Sequence, residues 1–109
     1  MLPLEIRAAD VAELQRTGKE PFILLDVREP WEYEVGHLDR SLLMPMGDVP
    51  SRAHQELDPD TNIIVYCHHG VRSLNTAVWL RNQGFDRAQS LSGGVDLWSQ
   101  TIDSSLPRY

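Results

Sequence analysis

The sequence has 109 residues, enough for one compact domain and too few for two, and 41% of its side chains are apolar. Sixteen acidic groups against ten basic ones leave a formal charge of −6, which repels nucleic-acid phosphates and anionic membrane surfaces alike. No apolar run reaches the roughly 18 residues of a membrane span, and MLPLEIRAAD lacks the apolar stretch of a secretion signal.

In chain order, residues 4–6 read as a short strand. Residues 8–18 read as an amphipathic helix, with Val11 and Leu14 three apart and Gly18 closing it. PFILLDV (21–27) is a continuous apolar run closed by charges, the pattern of a strand buried on both faces. Pro30 opens a short helix that Gly36 ends. SLLM (41–44) reads as another buried strand, and residues 46–57 hold a helix whose start Pro50 limits. Asp58-Pro59-Asp60 is a turn, and NIIVYC (62–67) is the clearest strand. HHGVR (68–72) reads as a loop, followed by a helix from Ser73 to Gln83 with Gly84 as its cap. RAQSL (87–91) is the last strand. Gly93-Gly94, placed for a close backbone approach rather than a dinucleotide, leads into a final helix, VDLWSQ. The chain is expected to form a single domain over 1–109, with 102–109 a mobile tail that has little to bury.

Strands and helices alternate, and the best strands are apolar throughout. That pattern predicts an α/β fold, a parallel central sheet flanked by helices on both faces. Sites in such sheets lie beyond the carboxyl ends of the strands. Asp26-Val27-Arg28 and Cys67 through Arg72 are the two segments placed there.

Cys67 is the only cysteine, so the chain has no internal disulfide; a reducing, cytoplasmic compartment is expected. A lone cysteine at a strand end is by default a small buried hydrophobe. Its neighbours argue otherwise. Gly70 permits a tight turn, after which the amides of residues 68–73 can form an anion-binding nest at a helix N-terminus. Arg72 adds a full positive charge. Such surroundings favour thiolate over thiol and make Cys67 a nucleophile.

CHHGVRS (67–73), LLDVREPWEYEVGHL (24–38) and LSGGVDLW (91–98) together resemble three characteristic segments of the rhodanese family of sulfurtransferases, in the right order and spacing. The resemblance implies a parallel sheet between helices and transfer of a sulfane sulfur through a cysteine persulfide. Cys67 is then the catalytic cysteine. The loop amides of His68, His69, Gly70, Val71, Arg72 and Ser73 hold the persulfide, and Arg72 assists an anionic substrate. The donor is thiosulfate or a persulfide or polysulfide; the acceptor is cyanide, a thiol or a protein. Rhodaneses efficient with thiosulfate often carry arginine and lysine just after the cysteine, whereas this chain carries His68 and His69, two largely neutral imidazoles. Related phosphatases place five residues between cysteine and arginine; the four here (His68 to Val71) make a ring too small for phosphate.

Asp26 and Arg28 are expected to support the site from behind, Asp26 by orienting amides or pairing with an arginine, Arg28 by bracing the helix that contains Glu32. No cofactor is implied. No metal is expected either, because adjacent histidines beside one cysteine do not surround an ion tetrahedrally. Trp98 should pack the last helix onto the core, Trp31 line the site entrance, and His37 serve structure. Asp26, Glu29, Glu32 and Glu34 make an acidic stretch that is either solvated surface or a face for a basic protein. That stretch sustains the alternative reading, a non-catalytic rhodanese-like module that binds a protein or senses sulfide or oxidants.

Overall fold

The computed structural model describes residues 1–109. Five strands, β1 (Glu5–Ile6), β2 (Phe22–Asp26), β3 (Leu42–Leu43), β4 (Asn62–Tyr66) and β5 (Ala88–Leu91), form one wholly parallel sheet in the spatial order β1-β5-β4-β2-β3. Helices α1 (Ala8–Thr17), α2 (Pro30–Val35), α3 (Val49–Glu56), α4 (Val71–Asn82) and α5 (Gly94–Thr101) alternate with them. The helices cover both faces, so the chain has the expected α/β architecture.

The two-residue period of a strand divides the interior. Ile63, Val65 and, one step past β4, Cys67 enter one core with Val49 and Ala53 of α3 and Ala77 and Leu80 of α4. Ile64 and Tyr66 enter the other, with Ala8 and Val11 of α1 and Val95 and Trp98 of α5. Because β4 is buried on both faces, apolar residues run along it without the polar alternation of a half-exposed strand.

The strand order reverses between β2 and β4. From β2 the chain steps outward to β3, then crosses back to β4 and on toward β5. Asp26 pairs with Tyr66 at the carboxyl ends of these neighbours, and the Val27 amide donates to the Tyr66 carbonyl at 3.1 Å. The segments that follow, Val27-Arg28 and Cys67-His68, therefore leave the sheet side by side at the crevice where α/β folds place their sites.

Several boundaries differ from the sequence reading. Helix α4 begins at Val71 rather than Ser73: Gly70 adopts φ +110°, turns the chain at once, and its carbonyl accepts the Leu74 amide at 3.0 Å. Val71 and Arg72 thus belong to the helix, and the loop proper is His68–Gly70. The 46–57 segment splits into a 3₁₀ turn, Met46–Asp48, and α3, with Pro50 accommodated in the first turn, where its missing amide costs nothing. The tail buries more than its composition suggested. Leu106 joins the second core, and its carbonyl accepts the Ser99 hydroxyl at 2.6 Å.

Candidate active site

Cys67 follows β4 directly and is only 1% exposed. Its Sγ accepts the Gly70 amide at 3.1 Å and the Ser73 amide at 3.3 Å. Its thiol lies 3.4 Å from Ser73 Oγ, which also reaches the Gly70 carbonyl at 3.2 Å and Ser90 Oγ at 2.8 Å. Two amides converging on one sulfur arise because the turn at Gly70 brings the first turn of α4 back over Cys67. Such donors satisfy an anionic sulfur, thiolate or terminal persulfide, better than a neutral thiol.

The outer side of the loop is held by α5. The carbonyls of Cys67 and His68 accept the Val95 and Asp96 amides at 2.9 and 3.0 Å. This contact needs the glycine pair. A Cβ on Gly94 would overlap both of those carbonyl oxygens, and one on Gly70 would press within 3.3 Å of the Gly93 nitrogen. The close approach expected of Gly93-Gly94 is made onto the cysteine loop itself.

The histidines stack. His68 lies between His69 and Tyr109, each ring centroid 3.9 Å away, the Tyr109 ring nearly parallel to it at 11°. Burial, with His69 beside it, pushes the His68 imidazole below its ordinary range, and its buried Nε2 has no hydrogen-bond partner. His69 is exposed, with Nδ1 3.9 Å from Asp96. Val71 faces solvent.

Arg72 does not stand free beside the sulfur. Its guanidinium donates twice to Glu32, at 2.7 and 2.9 Å. Glu32 is 3% exposed and closes a capping box at the start of α2, where the Glu29 amide donates to it at 3.0 Å. The Arg72 guanidinium beside it, helped by Tyr109, holds the Glu32 carboxyl down at about 2.

Asp26 and Arg28 form a fully buried pair, with Nε–Oδ1 2.9 Å and Nη2–Oδ2 2.7 Å. Asp26 also accepts the Arg28 amide at 3.0 Å and the Tyr66 hydroxyl at 3.0 Å. Arg28 reaches α2 at its far end, donating to the Gly36 carbonyl at 2.8 Å, and its Nη1 donates to the Tyr109 hydroxyl at 2.9 Å. Tyr109 in turn donates to Glu32 at 2.6 Å, and Trp31, 60% exposed, meets its ring edge-on.

Tyr109 and the Glu32–Arg72 pair are what sequence reasoning missed. The Glu29-x-x-Glu32 spacing signals a capping box, but nothing local links Glu32 to Arg72, 40 residues on. Nothing in the tail marks Tyr109, 81 residues from Arg28. Trp98 packs into the core as expected, and His37 is exposed and stacks on Tyr33.

Comparison with known proteins points one way. The family model described as Rhodanese-like domain matches residues 7–101. A thiosulfate sulfurtransferase GlpE from Pseudoalteromonas translucida is 31% identical over 97 residues, 87% of this chain and 90% of that protein. A Rhodanese-like/PpiC domain-containing protein 12, chloroplastic, from Arabidopsis thaliana is 31% identical over 95% of this chain, which spans only 38% of that longer protein. Among solved structures, the rhodanese-like domain of an Anabaena sp. protein superposes with a TM-score of 0.85 at 25% identity, covering 99% of this chain and 86% of its own.

Proposed function

The chain belongs to the rhodanese-like domain family, and on that premise we propose that it is a sulfurtransferase carrying a sulfane sulfur on Cys67. The observation that carries the reading is the pair of amides, Gly70 and Ser73, aimed at Sγ from 3.1 and 3.3 Å. A buried cysteine that merely filled space would need neither donor. The identity to a thiosulfate sulfurtransferase over most of both chains supports the same reaction.

In the first half-reaction the Cys67 thiolate attacks the sulfane sulfur of thiosulfate. A new S–S bond forms on Cys67, the sulfur–sulfur bond of thiosulfate breaks, and sulfite leaves with the bonding electron pair. In the second, cyanide or a thiolate attacks the terminal sulfur and the Cys67 thiolate leaves. Charge balances in each step, and no proton moves once the thiolate exists, so no general base is required. The Gly70 and Ser73 amides stabilise the charge on Cys67 Sγ as the attacking thiolate of the first half-reaction and the leaving thiolate of the second, while in the persulfide the charge lies on the outer sulfur, within the cradle of loop amides. Ser73 Oγ, fixed by Ser90, is a third polar contact at the same atom.

Arg72 acts as part of an ion pair. Its net attraction for an anionic donor is reduced by Glu32, so donor charge is read through the Arg72–Glu32 couple and the loop amides together. Asp26 and Arg28 touch no reacting atom in this scheme and hold the carboxyl ends of β2 and β4 in place.

Incubation with thiosulfate should add one sulfur atom to the intact protein, and cyanide should remove it. Cys67→Ala should take up none. Absence of any added sulfur with thiosulfate, polysulfide and a low-molecular-weight persulfide would overturn the proposal and leave the domain a binding or sensing module.

A further inference from the structure

Cys67 is reactive by design on the reading above, yet it is almost completely covered, and none of the three surface cavities is lined by any residue from Cys67 to Ser73. The cover can be traced side by side. Beneath the sulfur is the core shared by β4 and α4. On one flank stand the Gly70 and Ser73 amides. On another, the first turn of α5 takes the loop carbonyls. Toward α2 the loop's neighbours are side chains: His68, the Arg72–Glu32 pair, and Tyr109 against His68 and Glu32.

Tyr109 is the keystone of that flank. Its ring lies flat on His68, and its hydroxyl accepts from Arg28 and donates to Glu32, so one phenol is tied to two buried charges. Hydrogen bonds to ionised partners are the strong ones. The residue is nevertheless 37% exposed, so its other side is the protein surface. His68 Nε2, buried without a partner, is the cost of this arrangement, since an unpaired buried imidazole nitrogen is stable only when packing imposes it. Everything else on this flank is fixed from within the domain: Glu32 by Arg72 and the α2 capping box, and the loop backbone by α5. Tyr109 alone comes from outside the sheet-and-helix framework.

We propose that Tyr109 is a specificity-determining residue, which pins His68 against the cysteine loop and restricts Cys67 to small sulfane donors of thiosulfate size while it is docked. A bulky donor, such as glutathione persulfide or a protein-borne persulfide, reaches the sulfur only after Tyr109 leaves its two charged partners. This rests on the reading of Cys67 as the sulfur carrier, but its test does not depend on turnover.

The test compares two alkylating probes on Cys67, iodoacetamide and a maleimide carrying a polymer chain, in the wild type, Tyr109→Ala and Tyr109→Phe. In Tyr109→Ala the rate with the bulky maleimide should rise about tenfold or more relative to the iodoacetamide rate, because the ring and both hydrogen bonds are gone. Tyr109→Phe keeps the ring and loses only the two bonds, so its ratio should rise by less. The same order should appear when glutathione persulfide and thiosulfate are compared as donors by intact mass. A bulky-to-small alkylation ratio unchanged in both variants overturns the proposal. So does wild-type loading by glutathione persulfide as fast as by thiosulfate. If Tyr109→Ala fails to fold, the Tyr109→Phe ratio decides. If neither donor loads Cys67 in any variant, the sulfurtransferase reading fails and the alkylation ratio still decides the role of Tyr109.

Discussion

At the scale of single residues, Arg72 shows how a charge changes meaning once its partner is known. Beside Cys67 in sequence it looks like a free cation for an anionic donor; in the fold it is half of a bidentate pair with a buried carboxylate. Removing Arg72 leaves the buried Glu32 carboxylate without its countercharge, held only by the Tyr109 hydroxyl and the Glu29 amide. Because the Arg72 side chain is one-third exposed, Arg72→Ala should lower stability by about 1–3 kcal/mol in urea denaturation, and adding Glu32→Gln should restore a large part of it. If Arg72→Ala unfolds at the wild-type midpoint, the pair carries no structural weight. His68 makes the complementary point. Its imidazole is pushed below the ordinary range by burial first and by His69 second, and the burial cannot be read from the dipeptide His68-His69 by itself.

At the scale of elements, the cysteine loop depends on how α5 meets it. Gly18 and Gly94 have nearly the same φ, +62° and +60°, but a Cβ on Gly18 would meet nothing within 4 Å, whereas one on Gly94 would strike the Cys67 and His68 carbonyls. Gly18→Ala should cost about 1 kcal/mol from conformation alone. Gly94→Ala should cost several times that, at least about 3 kcal/mol, and abolish sulfur loading, because it pushes the loop backbone off the α5 amides. Thermal unfolding of the two variants side by side separates the terms; equal losses would mean that the close approach contributes nothing. The elements themselves were legible in outline. The apolar runs of β2 and β4, Pro30 opening α2 and Gly18 closing α1 are local signals, and the chain follows them. The start of α4 is not legible in the same way, because the sequence marks Gly70 as a turn without saying that its φ of +110° starts the helix at Val71.

At the scale of the whole molecule, the charged groups couple distant segments and so couple stability to pH. Glu32 sits at about 2 in the fold against an ordinary value of 4.5. A carboxyl held low binds fewer protons folded than unfolded, so its contribution is complete above about pH 4.5 and is lost as pH falls toward 2. That contribution is on the order of 3 kcal/mol. Wild-type stability should fall through this window, and Glu32→Gln should remove that part of the slope; identical acid profiles for the two proteins would contradict the assignment. No helix is long and apolar enough to cross a membrane, and the helices bury their apolar faces on the two sides of one sheet.

The sequence by itself determined the sheet-and-helix alternation, the strand end that bears Cys67, the glycine turn behind it and the family resemblance, because these rest on hydrophobic period and on residues adjacent in the chain. Only the tertiary structure decided that Arg72 belongs to Glu32, that Gly94 supports the cysteine loop, and that Tyr109 stacks on His68 and bonds Glu32. Each of those contacts joins residues at least 26 positions apart. Side-chain chemistry announces which groups can pair, but the parallel crossover that brings β4 beside β2 chooses which of them do.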